Sequence, residues 1–252
     1  MASTSCCFQG SEWGGEPSGV EGELAENDTY ITGQESDNGL AILIIHDAFG
    51  WKFRNIRLLA DKFARELNAI VYVPDFFGGM SLPFEPMLDG RFHELDLDTF
   101  NKENSREKRE PEILACAQAL RATNKHVAAV GFCFGGWGCF HLAAKKHVTK
   151  DGHPLLDCIS VAHPSRVTTE DVDAVAVPIQ LLIQFEPAFT ADIQSYTLST
   201  LPKLGVPWKW EYFPGVEHGA LSRGNPEKPG EVQAMKRAAT SVITWIKTFT
   251  TE

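Results

Sequence analysis

The sequence predicts an α/β fold in which a mostly parallel sheet is covered by helices on both faces. Apolar runs of strand length alternate with helical patterns along residues 40–249, and this order is typical of parallel sheets. The runs are almost continuously apolar, which indicates strands that are buried on both sides. A single domain over residues 1–252 accommodates the whole pattern, because no linker or internal repeat divides it.

The elements follow one another in a regular order. Strands are predicted at 40–46 (LAILIIH) and 69–74 (AIVYVP). The helix between them carries apolar residues at helical spacing, namely Ile56, Leu59, Phe63 and Leu67. Downstream, the same patterns predict strands at 127–131, 157–162, 179–184 and 209–213, and helices at 111–122, 137–146 and 231–249.

Two segments interrupt this order. Residues 1–37 are rich in Gly, Ser, Glu and Asp, so we expect an irregular segment packed on the domain, made of surface turns with room for a short hairpin. Residues 76–108 are rich in Gly, Pro, Phe and Asp and have no clear period. A long irregular insert of this kind is typical of a lid or a substrate-lining loop.

Composition excludes several classes of partner. The formal charge of -10 disfavours nucleic acid and anionic membrane surfaces. The stretch 102–109 alternates Lys and Arg with Glu, which indicates a solvated face and not a basic patch. No apolar run approaches the roughly 18 residues of a membrane span, and the first residues do not resemble a signal peptide. A small molecule is the expected partner, and the oligomeric state is left open.

Cysteine usage indicates the compartment. The six cysteines have no regular spacing, which favours reduced thiols and a cytoplasmic location. Cys6 and Cys7 are adjacent, but no His or second Cys pair follows at zinc-site spacing, so no metal and no cofactor is expected.

A candidate nucleophile, Cys133, lies in the turn 131–136 (GFCFGG) between a predicted strand and a predicted helix. Flanking glycines suit a strained strand-to-helix elbow, where side chains on the neighbours would clash. The start of the helix would stabilise a thiolate. The alternative is an inert buried cysteine in a glycine-rich turn. The remaining cysteines of this region lack such a setting and are expected in the core: Cys116, Cys139 and Cys158.

A thiol nucleophile needs a base and a group that orients the base. His218 lies in a glycine-bounded loop after the last predicted strand, and Glu186 ends a strand immediately before a proline. The order Cys133, Glu186, His218 matches the nucleophile, acid, histidine order of elbow hydrolases. Asp192 and Glu217 are the substitutes if Glu186 is a plain loop carboxylate.

Two further histidines, His46 and His163, also end predicted strands and are candidates to line the same site. The other histidines lack this setting and are expected on the surface or in the core: His93, His126, His141, His147 and His153.

Five ordered motifs give the sequence a family resemblance: 46–51 (HDAFGW), 59–64 (LADKFA), 73–79 (VPDFFGG), 131–136 (GFCFGG) and 218–224 (HGALSRG). Together they resemble the dienelactone hydrolase family of the α/β-hydrolase superfamily, especially its fungal-type members. The resemblance implies the α/β-hydrolase fold and hydrolysis of a small ester or lactone through a thioester, with no cofactor.

The resemblance also implies roles for single residues. Cys133 would be the nucleophile and His218 the base, while Glu186 stands where the family usually has Asp followed by Pro. Asp47 occupies a position where the family more often has Glu. A carboxylate beside the thiol would disfavour the resting thiolate by like-charge repulsion, so Asp47 is expected to modulate the thiol.

The remaining roles concern the substrate. The oxyanion hole is expected from two backbone N–H groups, those of Phe134 and Ala48. Arg223 matches a family arginine that pairs with a substrate carboxylate, a task that suits its planar fork. The walls of the acyl pocket are assigned to aromatic side chains at strand ends: Trp51, Phe76 and Phe77.

Two rival functions are consistent with parts of the sequence. Glutamine amidotransferases also place a cysteine in a Gly-x-Cys-x-Gly elbow, but they expect a His-x-Glu order, whereas here Glu217 precedes His218. The second rival is a degenerate hydrolase kept as a binding or regulatory module, which the change from Asp to Glu at residue 186 allows.

Overall fold

The computed structural model describes residues 10–80, 82–184 and 186–250. Its strands are β1 (Val20–Leu24), β2 (Asn27–Thr32), β3 (Leu40–Ile45), β4 (Ile70–Pro74), β5 (His126–Phe132), β6 (Cys158–Ala162), β7 (Ile179–Ile183) and β8 (Trp208–Tyr212). Its α-helices are α1 (Arg54–Leu67), α2 (Phe84–Leu88), α3 (Leu97–Glu103), α4 (Arg106–Thr123), α5 (Phe134–Leu142), α6 (Thr169–Asp173), α7 (Ala191–Thr200), α8 (Ala220–Arg223) and α9 (Pro229–Thr250).

Within the described residues, eight strands form one sheet in the order β1-β2-β4-β3-β5-β6-β7-β8. Strand β2 pairs antiparallel with β1 and β4, and the pairs from β4 to β8 are parallel. Helices α1 and α9 pack on one face, and helices α4 to α7 pack on the other. The predicted α/β-hydrolase fold is confirmed.

Strand β3 illustrates why the strands are continuously apolar. Ala41, Leu43 and Ile45 point into one core layer, and Leu40, Ile42 and Ile44 point into the other. Alternate side chains of a strand face opposite sides of its sheet, so burial on both sides requires an apolar residue at every position.

Helix α1 buries the residues that its periodicity predicted, Ile56, Leu59, Phe63 and Leu67. It ends at Asn68, which adopts the left-handed conformation at φ 50°. Asn tolerates that conformation better than most residues, so it is a natural helix terminus.

The amino-terminal segment is more regular than predicted. Residues 20–32 form the hairpin of β1 and β2, and β2 extends the central sheet. The polar sequence concealed β1 because every residue of that edge strand before Leu24 is exposed. Residues 10–18 pack across the domain without a strand or a helix.

The insert at 76–108 also differs from the expectation of an irregular loop. It contains α2 and α3, and α4 begins at Arg106, well before the predicted residue 111. Pro111 lies inside α4, whereas we expected it to begin the helix. Ion pairing of Arg106 with Asp171 and stacking of its guanidinium on Trp137 favour the longer helix.

Candidate active site

The candidate residues meet at the carboxyl edge of the sheet, where open α/β folds usually bind ligands. Asp47 follows β3 and Cys133 follows β5. Glu186 follows β7, and His218 lies in the loop after β8. Residues distant in sequence are therefore brought to one edge by the parallel order of the strands.

Cys133 occupies a strained elbow between β5 and α5. Its backbone has φ 54° and ψ -110°, a region that side chains rarely adopt. The flanking glycines are required sterically. A Cβ at Gly135 would lie 1.8 Å from the Ile45 carbonyl oxygen, and one at Gly131 would lie 2.1 Å from the Gly135 carbonyl oxygen. The helix α5 begins at Phe134, three residues earlier than predicted, because this close packing overrides the low helix propensity of glycine.

The Cys133 side chain is buried, with 3% of the residue exposed. Its Sγ lies 3.6 Å from the Ser165 hydroxyl. The backbone N–H of Ser165 donates to the Cys133 carbonyl at 2.9 Å, and the Cys133 N–H donates to Ala162 at 3.1 Å. The loop after β6 is therefore hydrogen-bonded to the elbow, and Ser165 lies in the site although the sequence did not predict it.

His218 is held by Glu186 and lies beside Cys133. The Nδ1 atom of His218 is 2.5 Å from Oε2 of Glu186, and both side chains are fully buried. Burial lowers the pKa of His218, but the charge of Cys133, its hydrogen bond, and then Glu186 outweigh burial and raise the pKa to about 10. The geometry brings Cys133, His218 and Glu186 together.

The substitutes for Glu186 lie elsewhere. Asp192 and Glu217 are both exposed. Glu186 contacts His218 even though its side chain is one methylene longer than the usual Asp. Gln184 steadies the histidine loop, because its amide donates to the Glu217 carbonyl at 3.0 Å.

Asp47 is paired with Arg223. Its Oδ2 atom accepts from the Arg223 guanidinium and from the Ser222 hydroxyl, and its Oδ1 accepts from the Phe49 N–H at 2.9 Å. Arg223 is fully buried and lies 4.8 Å above the Phe49 ring. The negative charge of Asp47 is therefore met by a guanidinium inside the site, and its effect on the thiol stays a prediction.

The two expected oxyanion-hole donors belong to Phe134, which follows Cys133 in the elbow, and to Ala48, which lies in the turn after β3. Within the described residues, neither the Phe134 N–H nor the Ala48 N–H donates a hydrogen bond to another protein group. Both residues are buried. Each N–H is therefore available to a bound group, and the oxyanion-hole assignment stays a prediction.

His46 braces the turn that contains Ala48. Its Nε2 accepts from the Phe76 N–H at 3.1 Å, and its Nδ1 lies 2.9 Å from the Asp47 carbonyl oxygen. Because Nε2 accepts a hydrogen bond, the ring proton is placed on Nδ1, and burial lowers the pKa of His46. His46 thus connects the ends of β3 and β4 and uses both ring nitrogens in doing so.

His163 is buried in contact with His218. The ring centroids are 5.0 Å apart at an angle of 61°. Within the described residues, neither ring nitrogen of His163 has a hydrogen-bond partner. Burial lowers the pKa of His163 well below its ordinary value, and the charges of His218 and Arg223 lower it further. His163 is therefore a buried neighbour of His218 whose own pKa is depressed.

The three aromatic residues expected in the acyl pocket are buried in different surroundings. Phe77 packs edge-on against Phe134 with ring centroids 5.3 Å apart. Phe76 shares that core layer, whereas Trp51 belongs to the opposite layer and lies 4.9 Å below the Arg57 guanidinium. Phe77 is thus the aromatic side chain among them that contacts the elbow directly.

A cavity of about 250 Å³ opens beside His218 and Arg223. Met87 and Leu88 of α2 line it, together with Gly10 and Ser11. Part of the insert at 76–108 therefore lines this cavity, and its role as a lid or substrate-lining segment stays a prediction.

Asn55 ties the amino-terminal residues to the Arg223 loop. Its side-chain amide donates to the carbonyls of Ser11 at 2.8 Å and Ser222 at 3.3 Å. Its Oδ1 accepts from the Trp13 N–H at 2.8 Å, and the Trp13 indole donates to the Gly224 carbonyl at 2.9 Å.

The other predicted groups are placed as follows. Cys116, Cys139 and Cys158 are buried core thiols, as predicted, and burial raises the pKa of each, that of Cys116 to about 12. In the described ranges, no cluster of His, Cys, Asp and Glu suits a metal ion, and Cys6 and Cys7 lie outside those ranges. No helix among the same residues has the length and apolarity needed to cross a membrane.

Comparison with family models identifies the family of this chain. The model of the dienelactone hydrolase family matches residues 27–250. Hydrolase tropI of Talaromyces stipitatus is 26% identical over all of this chain and 98% of its own. The human carboxymethylenebutenolidase homolog is 28% identical over 94% of this chain and 93% of its own.

A solved structure shares the fold. The dienelactone hydrolase of Anabaena variabilis superposes with a TM-score of 0.62 at 14% identity, covering 93% of this chain and 98% of that one. The family match extends over nearly the whole chain. The chain therefore belongs to the dienelactone hydrolase family, and it is an ester hydrolase.

Proposed function

We propose that the protein hydrolyses a small ester or lactone through a thioester on Cys133, with His218 as the base and Glu186 as its orienting acid. The observation that carries the proposal is the buried pairing of His218 with Glu186, in a position where Cys133 raises the pKa of His218. In this proposal Cys133, His218 and Glu186 serve as nucleophile, proton carrier and orienting carboxylate.

The raised pKa of His218 supports a resting pair of thiolate and imidazolium. The Cys133 thiolate attacks the substrate carbonyl carbon, a C–S bond forms, and the π electrons move to oxygen. When the oxyanion collapses, the C–O bond to the leaving group breaks. The departing alkoxide takes a proton from His218, and a thioester remains.

Water then completes the cycle. Neutral His218 takes one proton from water as the oxygen bonds to the thioester carbon. The second oxyanion collapses, the C–S bond breaks, and sulfur leaves as thiolate. The acid product departs, and the resting ion pair with His218 is restored.

Two backbone donors stabilise both oxyanions in this proposal, the N–H groups of Phe134 and Ala48. Each donor in such a hole contributes about 3 kcal/mol to transition-state stabilisation. Their lack of partners within the described protein supports the role, because preorganised donors need no rearrangement during the reaction.

The substrate is proposed to be small and, in its preferred form, to carry a carboxylate near Arg223. The cavity beside Arg223 measures about 250 Å³, near the lower limit for small-molecule sites. The human relative is a carboxymethylenebutenolidase homolog, and that enzyme name refers to a lactone substrate with a carboxylate-bearing arm. Such a substrate would compete with Asp47 for Arg223, since those two side chains are paired.

We also propose that the enzyme is cytoplasmic. Cys116, Cys133, Cys139 and Cys158 are all thiols in the structure, which suits a reducing compartment.

The decisive experiment is intact-protein mass spectrometry after a brief pulse of an aryl ester or a reactive lactone. An acyl adduct on Cys133 is expected, and Cys133→Ala should abolish both the adduct and turnover. Cys116→Ala is the matched control, because Cys116 is another buried thiol. Its Sγ accepts a hydrogen bond from the Asn27 side-chain amide. An adduct on another residue would overturn the proposal, and a folded wild type without turnover would favour a binding module.

The substrate preference has its own test. Arg223→Ala should lower kcat/KM for carboxylate-bearing esters by about tenfold or more, the usual scale for a lost charged hydrogen bond, and should affect matched neutral esters less. Arg237→Ala is a control because Arg237 is half exposed and pairs with Glu211. Equal losses of kcat/KM on acidic and neutral esters would contradict the proposal that Arg223 binds a substrate carboxylate.

A further inference from the structure

The loop after β6, residues 163–166, is built tightly against the elbow. Two backbone hydrogen bonds join it to the nucleophile position, from the Cys133 N–H to Ala162 and from the Ser165 N–H to Cys133. A Cβ on Gly136 would lie 2.7 Å from the Pro164 Cβ. Gly136 is therefore needed for the close approach of this loop.

The loop also holds two residues in the left-handed region. His163 has φ 39° and Arg166 has φ 61°. Such conformations are unfavourable for non-glycine residues and persist where the surroundings enforce them. The backbone between them is thus held in a defined position, and so is Ser165.

Arg166 fixes the far end of the loop. Its guanidinium donates to the Asn104 carbonyl at 2.6 Å and to Asn101 Oδ1 at 2.8 Å. It also lies 5.3 Å above the ring of Phe134, the residue after the nucleophile. The loop is therefore anchored both to the elbow and to the insert.

This construction presents the Ser165 hydroxyl to the reacting sulfur. Ser165 is 8% exposed, and the contact of its Oγ with the Cys133 Sγ measures 3.6 Å. A serine hydroxyl both accepts and donates. It therefore accepts from the thiol S–H, and it donates to the sulfur after the proton has left.

We propose that Ser165 is a further catalytic residue whose hydroxyl donates a hydrogen bond to the Cys133 thiolate. Hydrogen bonds to an ionised partner are stronger than those between neutral groups. The hydroxyl consequently favours the thiolate over the thiol. The inference rests on the proposed function only in that Cys133 is the nucleophile.

The role has a distinctive dependence on pH. Where Cys133 is mostly protonated, Ser165 increases the reactive thiolate fraction. Where Cys133 is already ionised, the same bond adds no thiolate, and it slightly lowers nucleophilicity. Ser165→Ala should therefore lose activity on the acidic side of the pH profile and recover it on the alkaline side.

The direct test is titration of the Cys133 thiolate by its ultraviolet absorbance, with the matching Cys133→Ala protein subtracted as background. In Ser165→Ala the midpoint should move upward by about one pH unit, and alkylation of Cys133 by iodoacetamide should slow about tenfold below the midpoint. Ser165→Thr retains a hydroxyl and should restore the wild-type midpoint.

Ser160→Ala is the matched control. Ser160 is a buried serine of the adjoining strand β6, and its hydroxyl donates to Gln180 at 2.7 Å instead of to the sulfur. An unchanged or lowered midpoint in Ser165→Ala would overturn the inference, as would an equal upward shift in Ser160→Ala. Thermal unfolding verifies that each variant is folded, and Ser165→Thr supplies the comparison if the alanine variant is not.

These measurements need no substrate. A wild type that titrates as expected but hydrolyses no ester would overturn the proposed function and leave the role of Ser165 toward sulfur intact. Normal hydrolysis through Cys133, with no effect of Ser165→Ala on the midpoint, would overturn the role of Ser165 and leave the proposed function intact.

Discussion

Two buried histidines in the same site have opposite protonation behaviour. His218, in the loop after β8, has its pKa raised to about 10, whereas the pKa of His163, in the loop after β6, is lowered well below its ordinary value. Their rings are in contact, and burial acts on both in the same direction. The difference comes from their partners, because Glu186 pairs with Nδ1 of His218 and Cys133 raises the pKa of that ring, while both ring nitrogens of His163 lack a hydrogen-bond partner among the described residues.

Burial alone therefore does not decide the pKa of a histidine in this site. A charged imidazole is stabilised in a dry site only where negative groups compensate its lost hydration. His163, with its lowered pKa, adds no positive charge that would oppose protonation of His218. The loop after β8 thus carries a histidine with a raised pKa, and the loop after β6 carries one with a lowered pKa.

The largest expected effect is on kcat and comes from changing Glu186, the carboxylate that pairs with His218 and has no counterpart at His163. Glu186→Gln keeps the shape of the side chain but removes its charge. It should lower kcat by about 10³-fold to 10⁴-fold, as for the equivalent change in a serine triad. Steady-state kinetics with an aryl ester measure the loss.

Asp192→Asn is the control, since Asp192 is the other alternative acid, its side chain is exposed and it does not line the cavity beside His218. It should change kcat by less than about twofold. A small effect of Glu186→Gln together with a large effect of Asp192→Asn would contradict the assignment of the orienting acid.

The next effect concerns the thiolate. Cys133→Ala removes the greatest influence that raises the pKa of His218, so that pKa should fall below about 10. The pKa of His163 should stay low, because burial is its first cause. Nuclear magnetic resonance titration of labelled histidines measures both. If the pKa of His218 stays near 10 in Cys133→Ala, the ion pair with sulfur is excluded as the cause.

The smallest effect lies in the pH dependence of the free energy of unfolding. His163 has a lowered folded pKa, so the unfolded chain binds protons first and stability falls as pH decreases below about 6.5. His218 has a raised folded pKa. Its contribution is fully present below about 6.5 and is lost as pH rises through about 10.

Denaturant unfolding at a series of pH values separates the two. His163→Asn should reduce the acidic loss of stability, and His218→Asn should reduce the alkaline loss. His153→Asn, at an exposed residue, should leave both arms unchanged. If His163→Asn and His218→Asn both changed the acidic loss of stability, or both changed the alkaline loss, the opposite pKa shifts of the two rings would be refuted.

Much of the fold could be predicted because burial dictates residue type. Strands from β3 to β7 are buried at most of their positions, so their apolar runs identify them. The exposed edge strand β1 has no such constraint, and the start of α5 lies among glycines that ordinarily break helices. There the decisive forces are pairing with a neighbouring strand and close packing at the elbow, which local sequence does not encode.

The grouping of Cys133, Glu186 and His218 was predictable because parallel strands bring their carboxyl ends to one edge. The Ser165 contact and the pairing of Asp47 with Arg223 were not, because each depends on side-chain directions in three dimensions. Ser165 does have a signal in hindsight, since it lies three residues beyond the end of β6, at the same edge as the other site residues.

The hydrogen bonds of Asn55 have a consequence for the order of folding. They join residues separated by 44 positions toward Ser11 and by 167 positions toward Ser222. Contacts of such separation form only after large loops have closed, and closure of large loops is entropically slow. The strands of the sheet can therefore pair before the Arg223 loop is fixed, and a chain still emerging from the ribosome cannot hold that loop in place until its last third has been made. Competence to bind substrate is accordingly expected to appear late in folding.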